Sequence, residues 1–141
     1  MRIICGFMVA VVLSAASVCG AAGKVSKAQE LYQQGVELNK KGDYAGAIGY
    51  YTKALALKKN SAALYFVRGR AYRQNDQLEL SEKDLSRAIA LKPGYAEAYN
   101  HRGVTYVGLG KKKEALADFT KACRMGNIDA CANEKKFNGT R

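Results

Sequence analysis

The sequence predicts an all-α fold, an α-solenoid of three helical hairpins closed by a C-terminal capping helix. Equivalent residues recur every 34 positions, apolar residues inside each period fall at helical spacing, and short Gly- or Asn-containing breaks split each period in two. A fixed period of roughly 20–50 residues marks units that stack on their neighbours, because one helical hairpin alone cannot bury its apolar face.

The period is visible in six columns. Gly35, Gly69 and Gly103 form one, and Ala54, Ala88 and Ala122 another. Leu31, Tyr65 and Tyr99 form a third, Leu38, Tyr72 and Tyr106 a fourth, and Tyr51, Leu85 and Phe119 a fifth. Ala28, Ala62, Ala96 and Ala130 open successive units. These columns place unit one at 28–61, unit two at 62–95, unit three at 96–129, and a capping helix with its tail at 130–141.

Each column follows from helix geometry. Leu31, Gly35 and Leu38 are four and three residues apart and therefore share a face, as do Ala47, Tyr51, Ala54 and Leu55 on the next helix. Gly and Ala at facing points let two antiparallel helices approach closely, with the aromatic or Leu of the fifth column filling the space beside them. The breaks are Lys41-Gly42-Asp43, Asn75-Asp76 and Gly108-Leu109-Gly110, where Gly and Asn are expected to supply the left-handed turn that ends a helix.

With that spacing of aromatic, Gly, Tyr, Ala, aromatic and Pro positions, residues 28 to about 129 resemble the tetratricopeptide repeat family. The departures are the lack of an opening Trp, Ser81 where the second unit would carry Ala, and a terminal proline, Pro93, in that unit only. The resemblance implies a right-handed solenoid whose first helices line a concave groove. It places Tyr32, Val36, Asn39 and Lys40, then Phe66, Arg70, Arg73 and Gln74, then Glu97, Asn100, His101 and Val104 along that groove. Tyr32 and Phe66 are then expected as apolar anchors, and Arg70 and Arg73 as contacts for an anion. Arg68 and Arg102, each just before the Gly, are expected to lay their aliphatic stems on the neighbouring helix with the charge in water.

The chaperone-binding subclass of the family grips a C-terminal carboxylate with Lys and Asn from the first unit, Asn from the second, and Lys and Arg from the third. Here those places hold Tyr32 and Val36, Val67, and Glu97 and His101, so chaperone-tail binding is not expected.

Cys123 and Cys131 flank the turn into the cap, eight residues apart. Antiparallel helices joined this way can bring two Cα atoms within the window of about 4.4–6.8 Å that a disulfide needs. The spacing also resembles the cysteine pairs of Sel1-like repeat proteins, which implies a disulfide. A metal site would need further Cys or His ligands, and a redox pair ordinarily has two intervening residues.

Residues 1–22 read as a signal peptide: Arg2 is the sole charge before Lys24, Ile3 to Leu13 is almost continuously apolar, and small residues follow. Cleavage is expected after Ala22, with Gly20 the second choice; lipidation at Cys19 and an uncleaved anchor are the alternatives. The expected destination is a bacterial periplasm or the medium, where thiols oxidise. Net charge is +11 from 23 basic and 12 acidic residues, which biases partners toward acidic ones.

Nothing in the sequence points to catalysis. His101 is the sole histidine, and no phosphate loop, nucleophile elbow or clustered ligand set is present, so no cofactor, metal or small-molecule substrate is expected. The expected function is a non-catalytic scaffold for a peptide of another protein. The alternative is electrostatic attachment to an anionic membrane or cell-wall surface, with nucleic acid disfavoured because no stacking platform with interleaved Arg is present.

Overall fold

The computed structural model describes residues 25–139; the signal peptide expected at 1–22, with Cys19, lies outside them. Seven helices follow in order: α1 (Lys27–Lys40), α2 (Tyr44–Leu57), α3 (Ala62–Gln74), α4 (Leu78–Leu91), α5 (Ala96–Gly108), α6 (Lys112–Arg124) and α7 (Ile128–Asn138). The pairs α1/α2, α3/α4 and α5/α6 form hairpins, successive hairpins stack, and α7 packs on α6, giving the expected all-α solenoid.

The breaks set these boundaries. Ser26, Asp43, Ser61 and Asn127 accept backbone N–H bonds at the starts of α1, α2, α3 and α7, satisfying donors the helices cannot. The left-handed residue between the helices of a hairpin is Gly42, Asp76 or Gly110, again 34 apart. In the second unit the expectation fell on Asn75; its φ is −91°, and Asp76 takes +59° instead. Both residue types tolerate that region, so the column of Gly42 and Gly110 is the better guide.

The hairpins close on the glycine column. A Cβ built on Gly35 would stand 2.5 Å from the Tyr51 ring, one on Gly69 2.9 Å from Leu85, and one on Gly103 2.6 Å from Phe119. Around these contacts Ala47, Ala54, Ala71, Ala88, Ala98, Ala115, Ala122 and Leu85 are fully buried.

Two polar arrangements tie unit to unit. Arg68 donates from Nε and Nη2 to the two oxygens of Asp84, at 2.6 and 2.9 Å, and from Nη1 to Thr52 of the preceding unit at 3.1 Å. Arg102 repeats this with Asp118, at 2.7 and 2.9 Å, and with Ser86 at 3.0 Å. Their guanidinium groups also lie over Tyr65 and Tyr72, and over Tyr99 and Tyr106. The expectation of stems packed with charge in water is thus corrected: both arginines are held in bidentate pairs, side chains 17% and 18% exposed. Tyr72, in the column of Leu38 and Tyr106, is only half-buried and forms one wall of this arrangement.

Ser81 forms the second tie. Its buried hydroxyl donates to Thr105 Oγ1 at 3.0 Å, since the Thr105 proton is committed to the His101 carbonyl at 3.0 Å. A buried hydroxyl without a partner is costly, and Thr105 removes that cost.

At the cap, the Sγ atoms of Cys123 and Cys131 are placed 1.96 Å apart with Cα atoms 4.6 Å apart. Phe137 stands edge-on to Phe119, centroids 6.3 Å apart.

The tight glycine column gives a direct test. Gly103→Ala forces the Phe119 ring aside and should destabilise by about 1–3 kcal/mol despite the better helix propensity of Ala. Gly49, in α2 with nothing within 4 Å of a built Cβ, is the control: Gly49→Ala should stabilise by about 0.5–1 kcal/mol. Urea unfolding of both variants decides it; equal signs would overturn the close-approach account.

Candidate peptide-binding groove

The first helices of the units lie side by side. Phe66 on α3 meets His101 on α5 edge-on at 5.3 Å, Arg73 Nη2 reaches His101 Nδ1 at 3.3 Å, and Asn133 on α7 donates to Asn100 Oδ1 on α5 at 2.9 Å. Contacts of this kind along one side of α1, α3 and α5 leave a groove, whose residues separate into three groups.

In the first group, Tyr32, Val36, Asn39 and Lys40 of α1 line a cavity of ≈ 180 Å³ together with Tyr51, Val67 and Arg70. Its floor is aromatic and aliphatic and its rim is cationic and amide. Burial, with Tyr32 adding to it, pushes the Tyr51 phenol up to about 12, so this hydroxyl stays protonated as a donor.

The second group is centred on Phe66. Expected as an exposed anchor, Phe66 is 8% exposed and belongs to the core with Leu85, Ala88, Ile89 and Ala98. Its α3 position faces the next hairpin more than the groove. Tyr95 covers one side of its ring with centroids 4.8 Å apart, and the Arg70 guanidinium lies 5.5 Å from its centroid. Phe66 therefore positions Arg70 and His101 and leaves the surface role to Tyr32 and Tyr95. Tyr95 was absent from the sequence-derived groove: it precedes α5 after the Pro93-Gly94 turn, and its column holds Ser61 and Asp129, so no repeat announced it.

Arg70 and Arg73 complete this group. Their Nε atoms are buried and without a hydrogen-bond partner, and neither forms an ion pair among the described residues. Burial lowers the Arg73 pKa and the Arg70 charge adds to that. An arginine can only donate, so His101 Nδ1 accepts and the ring proton sits on Nε2. Burial and then the two arginine charges push His101 down to about 4, leaving the imidazole neutral at ordinary pH.

The third group is a departure. Asn100 is 8% exposed and its amide is engaged by Asn133, because α7 packs where a fourth unit's first helix would and covers it. Tyr32, Val36, Asn39, Phe66, Arg70, Arg73 and His101 are thus brought together, and Asn100 is withdrawn beneath the cap. Among the described residues no three His, Cys, Asp or Glu side chains gather as metal ligands, and no helix is long and apolar enough to cross a membrane.

The His101 environment has a pH consequence. Its folded pKa lies below the unfolded value of 6.5, so the unfolded chain takes up this proton first as pH falls. Stability should hold above about pH 6.5 and decline toward pH 4 by roughly 2–3 kcal/mol. Melting curves of wild type and His101→Gln between pH 7.5 and 4 check this; parallel curves would remove His101 as the cause.

Family patterns described as tetratricopeptide repeat match residues 31–61 and 96–125, and one described as TPR repeat matches 69–110. Rat serine/threonine-protein phosphatase 5 is 31% identical over 115 residues, 82% of this chain and 23% of that protein. Human RNA polymerase II-associated protein 3 is 39% identical over 113 residues, 79% of this chain and 17% of that protein. The chain therefore spans less than a quarter of these relatives. Among solved structures, the first TPR of Spaghetti (RPAP3) bound to the HSP90 peptide SRMEEVD superposes with TM-score 0.77 at 29% identity, covering 82% of this chain and 94% of that one. The second TPR domain of human RPAP3 in complex with the HSP70 peptide SGPTIEEVD gives TM-score 0.71 at 31% identity, covering 79% and 98%. The 34-residue columns, the stacked hairpins and these matches together establish that the chain belongs to the tetratricopeptide repeat family.

Proposed function

We propose that this chain is a non-catalytic scaffold, exported from the cytoplasm, that holds a peptide segment of another protein in the groove along α1, α3 and α5. The observation that carries this reading is the groove's composition: a cavity sized for a side chain beside two arginines that have no acidic partner among the described residues. Structures similar to this one hold acidic peptides, which supports the class of ligand. The chaperone-tail peptides themselves are a poor match, because Tyr32, Val36, Val67, Glu97 and His101 offer neither the amides nor the cations of that grip. A second reading, attachment to an anionic envelope surface, is favoured by the exposed run Lys111-Lys112-Lys113 and the net charge of +11.

Salt and one groove variant separate the two. The partner that co-purifies from the native host should lose about tenfold or less in affinity between 50 and 200 mM salt, and Asn39→Trp, which plugs the cavity, should weaken it at least tenfold. A loss of about a thousandfold with salt, together with an inert Asn39→Trp, would transfer the function to surface attachment.

The export proposal rests on the apolar run Ile3 to Leu13 with its small-residue end, and on Cys123 and Cys131 as a closed disulfide holding the cap. Intact mass of the native protein should correspond to a start near Gly23 with two hydrogens fewer than the reduced chain. A retained Met1 or two alkylatable thiols would defeat it.

A further inference from the structure

Helix α3 carries three arginines whose circumstances differ. Arg68, on the side facing α4, has both oxygens of Asp84 and the Thr52 hydroxyl. Arg70 and Arg73, on the groove side, have no carboxylate within ion-pairing distance among the described residues, yet they are half-buried and stand one turn apart. Two like charges held in a partly desolvated place destabilise the empty protein, and a chain with twelve acidic residues has left both of them uncompensated. Neither is loose. Arg70 lies over the buried Phe66 ring, Arg73 is bonded to His101, and both Nε atoms are sealed in by packing. The assembled group offers N–H donors from two guanidinium groups beside the His101 ring. Such a set fits one ligand type, a planar anion with several acceptor lone pairs.

We propose that Arg70 and Arg73, with the His101 ring beside them, form a carboxylate seat on the second unit of the groove that takes an Asp or Glu side chain of a bound peptide. This deepens the groove reading and rests on it. The side chain, not the chain terminus, is the source because Arg70 is shared: it is also the rim of the ≈ 180 Å³ cavity lined by Tyr32, Val36, Tyr51 and Val67. A peptide lying over Arg70 therefore places an apolar side chain in the cavity and an acidic one on the seat. In an extended chain, residues two apart project to the same face and reach both.

His101 supplies the readout, since it is the sole histidine of the chain and its proton affinity is held down by burial and by the same two arginines. A carboxylate on the seat cancels their charge and raises the imidazole pKa by about 1–2 units. The experiment is an NMR pH titration of the His101 ring in the protein without its leader, alone and with millimolar acetyl-Leu-Gly-Glu-amide. The controls are acetyl-Leu-Gly-Gln-amide and acetyl-Leu-Gly-Gln with a free C-terminus. The expected result is an upward shift with the Glu peptide, none with the Gln amide, a smaller one with the free terminus, and no response in the Arg70→Gln/Arg73→Gln double variant, whose helical spectrum should stay intact. No shift with the Glu peptide, an equal shift with the Gln amide, or a response that survives in the double variant overturns the seat. A shift as large or larger with the free terminus overturns the side-chain assignment. Failure here is distinct from failure of the groove itself: if the seat is wrong but the groove is right, the co-purified partner still binds and is still lost in Asn39→Trp.

Discussion

The approach of two helices across a glycine is the constraint on which the rest of this molecule depends. At Gly35, Gly69 and Gly103 a side chain as small as a methyl would meet the Tyr51 ring, Leu85 or the Phe119 ring at 2.5 to 2.9 Å. That contact sets the depth of each hairpin and hence the rotation of its first helix. With the rotation set, residues one position before the glycine face the second helices of two units, and residues one and four positions after it face the groove. Arg68 and Arg102 on one side and Arg70 and Arg73 on the other are consequences of this geometry and need no further specification.

The two sets of arginines show how one residue type serves opposite ends. On the outer side, a bidentate bond to Asp84 or Asp118 and a third bond to Thr52 or Ser86 spread each charge over the junction between units. Removing one member of such a largely buried pair strands the other, so these arginines hold the stack rigid at high cost to any substitution. On the groove side Arg70 and Arg73 form no ion pair among the described residues, and under the proposed seat the stability given up there is what a bound carboxylate restores. Functional surfaces commonly carry such locally unfavourable groups, and here the unfavourable ones are confined to a few side chains of one turn of α3.

What was legible in the sequence follows the same division. Helices, hairpins, the glycine column and the position of the cap were readable because each is a local property repeated at a fixed period. The fate of a side chain between units was not. Phe66 reads as a groove residue from its helical position, yet the packing of Tyr95 and His101 from the next unit buries it. Asn100 reads likewise, until α7 donates Asn133 to its amide. Ser81 looks like a blemish in the alanine column, and its partner Thr105, 24 residues away, sits in a different column, so neither substitution explains itself alone. Tyr95 escaped because a residue without a counterpart one period away carries no periodic signal. The charge pairing of Arg68 and Arg102 was available in principle, since Asp84 and Asp118 also lie 34 apart, but the two columns can be joined only when the hairpin geometry is known.

At α7 the repeat pattern is broken, and the third-unit end of the groove is covered there. Ala130 continues the column of Ala28, Ala62 and Ala96, so α7 begins as a fourth first helix, but the glycine position one period after Gly103 is Phe137. A phenylalanine there forbids the close approach a following helix would need, and its ring turns back against Phe119 instead. The helix thus spends its inner face on the third unit, engaging Asn100 through Asn133 and Thr120 through Glu134. That closes the third-unit end of the groove, leaving His101 as the last of the sequence-derived groove residues still turned toward α3. The open stretch then runs from the α1 cavity to His101, with Arg70 and Arg73 at its middle, so a bound segment of any length that fills it must pass over the two arginines.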